Sequence, residues 1–240
     1  MTISDIYAGL DAISPFELQE GWDNSGLIVG DPRQEVSTVV LSIDVDAALL
    51  DTLEEGTLLV THHPLIFSGL KALDCSRYPA NLLRTMVRKN IANIAMHTNF
   101  DRTHLNRWVA KHVLGQEKAE QDGFAALFDV DSDFDTFALD VQRRFGLAQL
   151  KTVRSHDRLG RVALVTGSGA SLMRDIDCDC LLTGDIKYHD AMEAKALGVS
   201  MIDIGHYESE RFFPEALAPH LKNFGLTVII SSSKNPFVYS

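Results

Sequence analysis

Two histidines stand side by side in the stretch THHPLIF, residues 61–67. Neighbours on a strand point to opposite faces, so a lone strand cannot aim both rings at one target. The pair follows the apolar run Leu58, Leu59 and Val60 and precedes Pro64. Where a strand breaks into a loop ahead of a proline, the alternation lapses and both rings can turn the same way. Two further pairs share one spacing. His97 and Asp101 are four apart in HTNFD, and His206 and Glu210 are four apart in HYESE. Positions i and i+4 share a helical face, so each imidazole–carboxylate pair can reach one cation. Adjacent histidines are hard to fit around a single ion with a full set of other ligands, but two ions could take one each. Carboxylates such as Asp101 and Glu210 have two acceptor oxygens and can bridge them. Imidazole with carboxylate suits zinc, iron, manganese or nickel. The absence of thiolate argues against a closed structural zinc site. A paired centre is suited to hydrolysis, because two ions activate water and clamp both the attacking and leaving oxygens.

These residues need elements that bring them together. Apolar positions at helical spacing predict a helix over Thr2–Ser14, capped by Thr2 and ended by Pro15. The segment GWDNSGLIVGD, residues 21–31, reads as a turn and a short strand. Val39–Ile43, Leu58–Val60 and Ile91–Met96 read as strands, separated by helical patterns at Asp46–Glu55 and Asn81–Lys89. This β-α-β-α-β succession predicts a parallel, helix-covered sheet. Ligands collect at the carboxyl ends of such strands, where His62, His63 and His97 all fall. The second half echoes the first: RVALVTG answers TVVLSID, LLTGDIKYH answers LLVTHHPLI, and SMIDIGHYESE answers NIAMHTNFD. An internal repeat constrains the architecture. The expectation is an α/β fold of two related lobes with mostly parallel, helix-covered sheets and a metal cleft between them. The polar stretch QEKAEQDG places the boundary between lobes 1–118 and 119–240. Phe134–Phe145 predicts an amphipathic helix, Leu150–Val153 a strand and Leu226–Ser231 another.

Composition narrows the function. The 240 residues carry 22 Lys and Arg against 33 Asp and Glu, a net charge of −11, which disfavours a nucleic-acid partner. No apolar run approaches a membrane span and no signal-peptide pattern opens the chain. Three cysteines fit a reducing compartment, and the expected location is cytoplasmic. Cys178-x-Cys180 reads as small residues entering a strand, not as a metal pair. His104, His112, His156 and His220 read as ordinary hydrogen-bonding residues. Gly167 and Gly169 in TGSGAS are a weak candidate for a phosphate cradle.

The stretches WDNSGLIVG (22–30), THHPLIF (61–67), HTNFD (97–101), TGDIKYHDA (183–191) and GHYESE (205–210) together resemble the NIF-three-like family. Its bacterial members are labelled GTP cyclohydrolase I type 2 homologues. The likeness covers nearly the whole chain. It implies a dinuclear metal centre, two divalent ions per chain, held by His62, His63, Asp101, His206 and Glu210. It also implies a toroidal homohexamer with sites facing an internal cavity. His97 is not among the ligands so implied and is expected in the surrounding shell or facing substrate. Asp185 and His189 occupy the second lobe's counterpart of the His-His position and are expected to line the substrate pocket. His97 and His189 are the candidate proton shuttles. The expected activity is metal-dependent hydrolysis of a small, nucleotide-like substrate, GTP by the family label. The alternative is a non-enzymatic metal-binding adaptor or metal-trafficking protein.

Overall fold

A computed structural model of the chain describes residues 1–238. Its strands, in chain order, are β1 (Gly26–Val29), β2 (Thr38–Ser42), β3 (Leu58–Thr61), β4 (Ala92–Ala95), β5 (Glu120–Asp122), β6 (Ala125–Asp133), β7 (Lys151–Val153), β8 (Arg158–Leu164), β9 (Cys180–Thr183), β10 (Ser200–Asp203) and β11 (Thr227–Ile230). They form two sheets in two compact units. The first unit is Met1–Phe100 with Phe213–Lys234. The second is Asp101–Phe212 with the segment beginning at Asn235.

In the first unit the sheet order is β1-β4-β3-β2-β11. β2, β3, β4 and β11 run parallel, and β1 closes one edge antiparallel to β4. β2, β3 and β4 are buried along nearly their whole length, as strands covered on both faces are, while the edge strand β11 leaves Ile229 and Ile230 exposed. Leu59 and Val40 pack with Leu50, Leu82, Leu83 and Met86 from the helices Ala47–Thr52 and Ala80–Arg88. The helix Ile3–Ile13 forms as its sequence predicts. Thr2 accepts from the Asp5 amide, Asp5 accepts from the Thr2 amide, and Ile3, Ile6 and Leu10 are fully buried.

In the second unit the order is β5-β6-β8-β9-β10-β7. β8, β9 and β10 are parallel, while β5, β6 and β7 pair antiparallel. This sheet is therefore mixed rather than mostly parallel. The helix Phe134–Phe145 matches the expected bounds, capped by Asp133 at one end and by left-handed Gly146 at the other.

The repeat is visible in the topology. In each unit three successive strands lie parallel and adjacent, and a short preceding strand pairs antiparallel with the third. β1 does this on β4, and β7 does it on β10. The far edges differ: the first sheet adds parallel β11, the second adds antiparallel β6 and β5. The units also divide elsewhere than at residues 118/119. Residues 101–118 belong to the second unit, and the helix Phe213–Leu221 and β11 return to the first. The reason is pairing and burial. Thr227–Ile230 extends the parallel sheet in register with Thr38–Leu41, and Phe213, Leu217 and Leu221 are fully buried.

Candidate metal centre

In the first unit, backbone pairing runs past β3: the His62 amide donates to Ser42 O and the His63 amide to Ile43 O. The chain bends at these two residues. Both rings consequently lie beside His97, with centroids 5.1 Å (His62) and 5.3 Å (His63) from it. One donor atom from each of His62, His63 and His97 falls within 4.8 Å of the others. His62 is fully buried, under Phe213 at 5.1 Å, while the other two side chains are partly exposed.

Each ring is oriented through Nδ1. His62 Nδ1 donates to Met96 O at 2.9 Å, His63 Nδ1 to Asp44 Oδ1 at 2.8 Å, and His97 Nδ1 to Asp23 Oδ1 at 2.8 Å. Carbonyl and carboxylate oxygens only accept, so each Nδ1 carries a proton and donates it. This is how a partner oxygen prepares a histidine to bind a metal. The Asp23 side chain is buried. Burial works against its charge, but hydrogen bonds from His97, Thr98 and the Asn24 amide, with the charge of His97, hold its carboxyl well below the usual range.

The second unit supplies its own donors. Gly205, at φ +75°, turns the chain out of β10 into the short helix His206–Glu210. His206 Nε2 and Glu210 Oε2 lie 3.0 Å apart, as the i, i+4 spacing anticipates. His206 Nδ1 donates to Asp185 Oδ2 at 2.7 Å, the fourth ring held in this way. Asp185 does so from φ +55°, just beyond β9. Glu210 is buried and lies against bare backbone: a Cβ on Gly167 would stand 2.1 Å from Glu210 Oε1. Ser209 Oγ accepts from the Gly167 amide and donates to His206 O, fixing the turn beneath the pair. Asp101 is buried at the start of a π-helical turn, Asp101–Leu105. Asn106 holds that turn, donating to Asp101 O and accepting from the Thr166 amide. π-turns concentrate at functional sites.

Donor chemistry fits a divalent cation: three imidazoles in the first unit, and the His206 imidazole beside the Glu210 carboxylate in the second. The two groups are His and Asp/Glu sets of the kind that binds metal. His97 stands in ring contact with both His62 and His63. Asp185 accepts from His206 Nδ1. His189 is exposed, set edge-on against Tyr188 at 5.4 Å, and belongs to no His/Cys/Asp/Glu grouping of metal-binding geometry among the described residues. The phosphate-cradle idea for TGSGAS fails, because the Gly167 and Gly169 amides already donate to Ser209 Oγ and Thr183 Oγ1. Cys178 and Cys180 are free thiols. Burial pushes Cys178 up to about 11 and Cys180 higher than an ordinary thiol, so neither is a ready thiolate. His112 stacks on Trp108 and hydrogen-bonds to its carbonyl, an ordinary structural role.

Spacing alone did not nominate Asp23 and Asp44. Asp44 lies just past the end of β2, the same strand-end position that nominated the histidines. Asp23 lies in the polar turn WDNSG, which looked like a turn and nothing more.

The pattern of the family described as Duf34/NIF3 (NGG1p interacting factor 3) matches residues 1–236. The chain belongs to the Duf34/NIF3 family. A Campylobacter jejuni relative named GTP cyclohydrolase 1 type 2 homolog is 44% identical over 240 residues, all of both chains. A Helicobacter pylori relative named GTP cyclohydrolase 1 type 2 is 41% identical over 236 residues, 98% of this chain and 97% of the relative. Among solved structures, a Staphylococcus aureus protein superposes with TM-score 0.85 at 24% identity, covering 100% of this chain and 99% of the other. A Bacillus cereus protein related to NIF3 gives the same score at 16% identity, with the same coverage. These establish the Duf34/NIF3 fold, two sheets flanked by helices. Among the described residues no helix is long and apolar enough to cross a membrane.

Proposed function

We propose that this Duf34/NIF3 member is a dinuclear metal-dependent hydrolase acting on a small, nucleotide-like substrate. The observation that carries this is the common anchoring of His62, His63, His97 and His206, each fixed at Nδ1 by an oxygen. The anchoring matters because the rings also converge: donor atoms of His62, His63 and His97 lie within 4.8 Å of one another, unlike His112, whose Nδ1 also bonds a carbonyl but which stands against Trp108. His62, His63, Asp101, His206 and Glu210 would hold two divalent ions: zinc, iron, manganese or nickel. Ions held there would supply Lewis-acid activation of water and of substrate oxygens. His97 takes and returns a proton at Nε2, and Asp23 fixes its orientation and balances the imidazolium that results. Asp44 and Asp185 hold His63 and His206 in place.

The names of the Campylobacter and Helicobacter relatives favour GTP as the first substrate to test. The toroidal homohexamer is part of the same proposal. Purified protein dialysed against each metal should hold two ions per chain. Fewer than one under replete conditions overturns the dinuclear centre. GTP and a nucleotide panel are then assayed with His63→Ala as control. Turnover no greater than the control favours the second reading, a metal-binding adaptor, which the interaction in the family's own description also suggests.

A further inference from the structure

Trp22 and Phe67 are large aromatic side chains left 59% and 48% exposed. Their rings lie together, centroids 5.8 Å apart and planes inclined at 43°. Each also stands nearly perpendicular to the His97 ring, at 6.2 Å and 6.3 Å. The exposed pair therefore abuts the histidine group of its own unit.

The loop carrying Trp22 is rigidly held. The next residue, Asp23, accepts from His97 Nδ1, the Thr98 amide and hydroxyl, and Ser25 Oγ. Asn24 Nδ2 donates to Ile66 O, tying this loop to the residue before Phe67. Exposed apolar area opposes folding, and fixing it in place removes the entropy that would otherwise oppose binding. The two rings together expose on the order of 200 Å². That is far below the roughly 800 Å² per partner of a stable protein interface. It matches the face of one fused heterocycle.

We infer that Trp22 and Phe67 form a stacking platform for a planar nitrogen heterocycle, presenting its edge to the histidine group. This rests on the proposed function in taking that group as the reaction centre, but binding to the platform does not require metal. Stacking a base on an aromatic side chain typically contributes enough for a tenfold or greater change in affinity.

The test is equilibrium dialysis of guanosine 5′-monophosphate with the full chain, as purified and again after chelation, beside ribose 5-phosphate. The expected result is nucleotide binding weakened about tenfold or more by Trp22→Leu and by Phe67→Leu, with or without metal. Ribose 5-phosphate should not distinguish the variants from the wild type. With only two tryptophans in the chain, Trp108→Phe leaves Trp22 as sole reporter, and its fluorescence should be quenched saturably by the nucleotide. Equal nucleotide affinity in wild type and variants overturns the platform. So does absence of nucleotide binding to the wild type. A change in sedimentation on Trp22→Leu with nucleotide affinity intact assigns the pair to an interface between copies instead. Poor metal stoichiometry with base discrimination retained sinks the dinuclear proposal and leaves this one standing.

Discussion

At the residue scale, the proposed metal affinity should depend as much on what holds each histidine as on the histidine. Asp44→Ala and Asp185→Ala remove the acceptors of His63 Nδ1 and His206 Nδ1. Each should weaken metal binding about 10- to 100-fold with an unchanged circular dichroism spectrum, read by dialysis against a metal buffer. Asp101→Ala and Glu210→Ala should lose metal outright while the fold persists. Asp23 makes a pH-dependent contribution. Its folded-state carboxyl is held low, so its stabilisation is complete above the unfolded value near about 3.9 and is lost as pH falls through the folded value. Asp23→Asn should therefore cost about 1–3 kcal/mol at neutral pH, and the gap from wild type should narrow below about pH 4. Denaturant titration across pH reads both.

At the element scale, the turns after the strands set the geometry. Gly167 is at φ +68°, and a Cβ there would collide with Glu210. Gly167→Ala should both strain the backbone and displace the carboxylate, costing about 1–3 kcal/mol and lowering metal occupancy. Metal content measured beside thermal unfolding separates the two effects. The strand-end positions of His62, His63, His97 and His206 were legible in the sequence, because parallel β-α units place their loops predictably. The helix Phe134–Phe145 was legible for a similar reason: its cap, apolar spacing and terminal glycine agree. The antiparallel pairing of β6 with β8 was not, since alternating and continuous apolar runs do not reveal which neighbour a strand takes.

At the scale of the whole molecule, the chain returns upon itself. Phe213 lies more than 100 residues beyond Phe100, yet packs on it at 5.3 Å and on His62 at 5.1 Å in the first unit. Phe213→Ala should cost about 3–5 kcal/mol. Hydrogen exchange should rise in β11 and also in β2, which is far from the substitution in sequence. If instead the loss is confined to residues 119–212, a boundary at 118 describes the molecule better.

The sequence by itself determined the family, the order of strands and helices in the first hundred residues, and the residue types at the strand ends. Those depend on local periodicity and motif spacing, which need no distant partner. Only the tertiary structure decided the rest. It set the boundary between units, because β11 finds its hydrogen bonds beside β2. It assigned Asp23, Asp44 and Asp185 to particular histidine rings, because a side chain's acceptor is chosen by proximity in space. It also set His97 against His62 and His63. Positions that look equivalent in a repeat differ once each side chain's neighbours are fixed by packing.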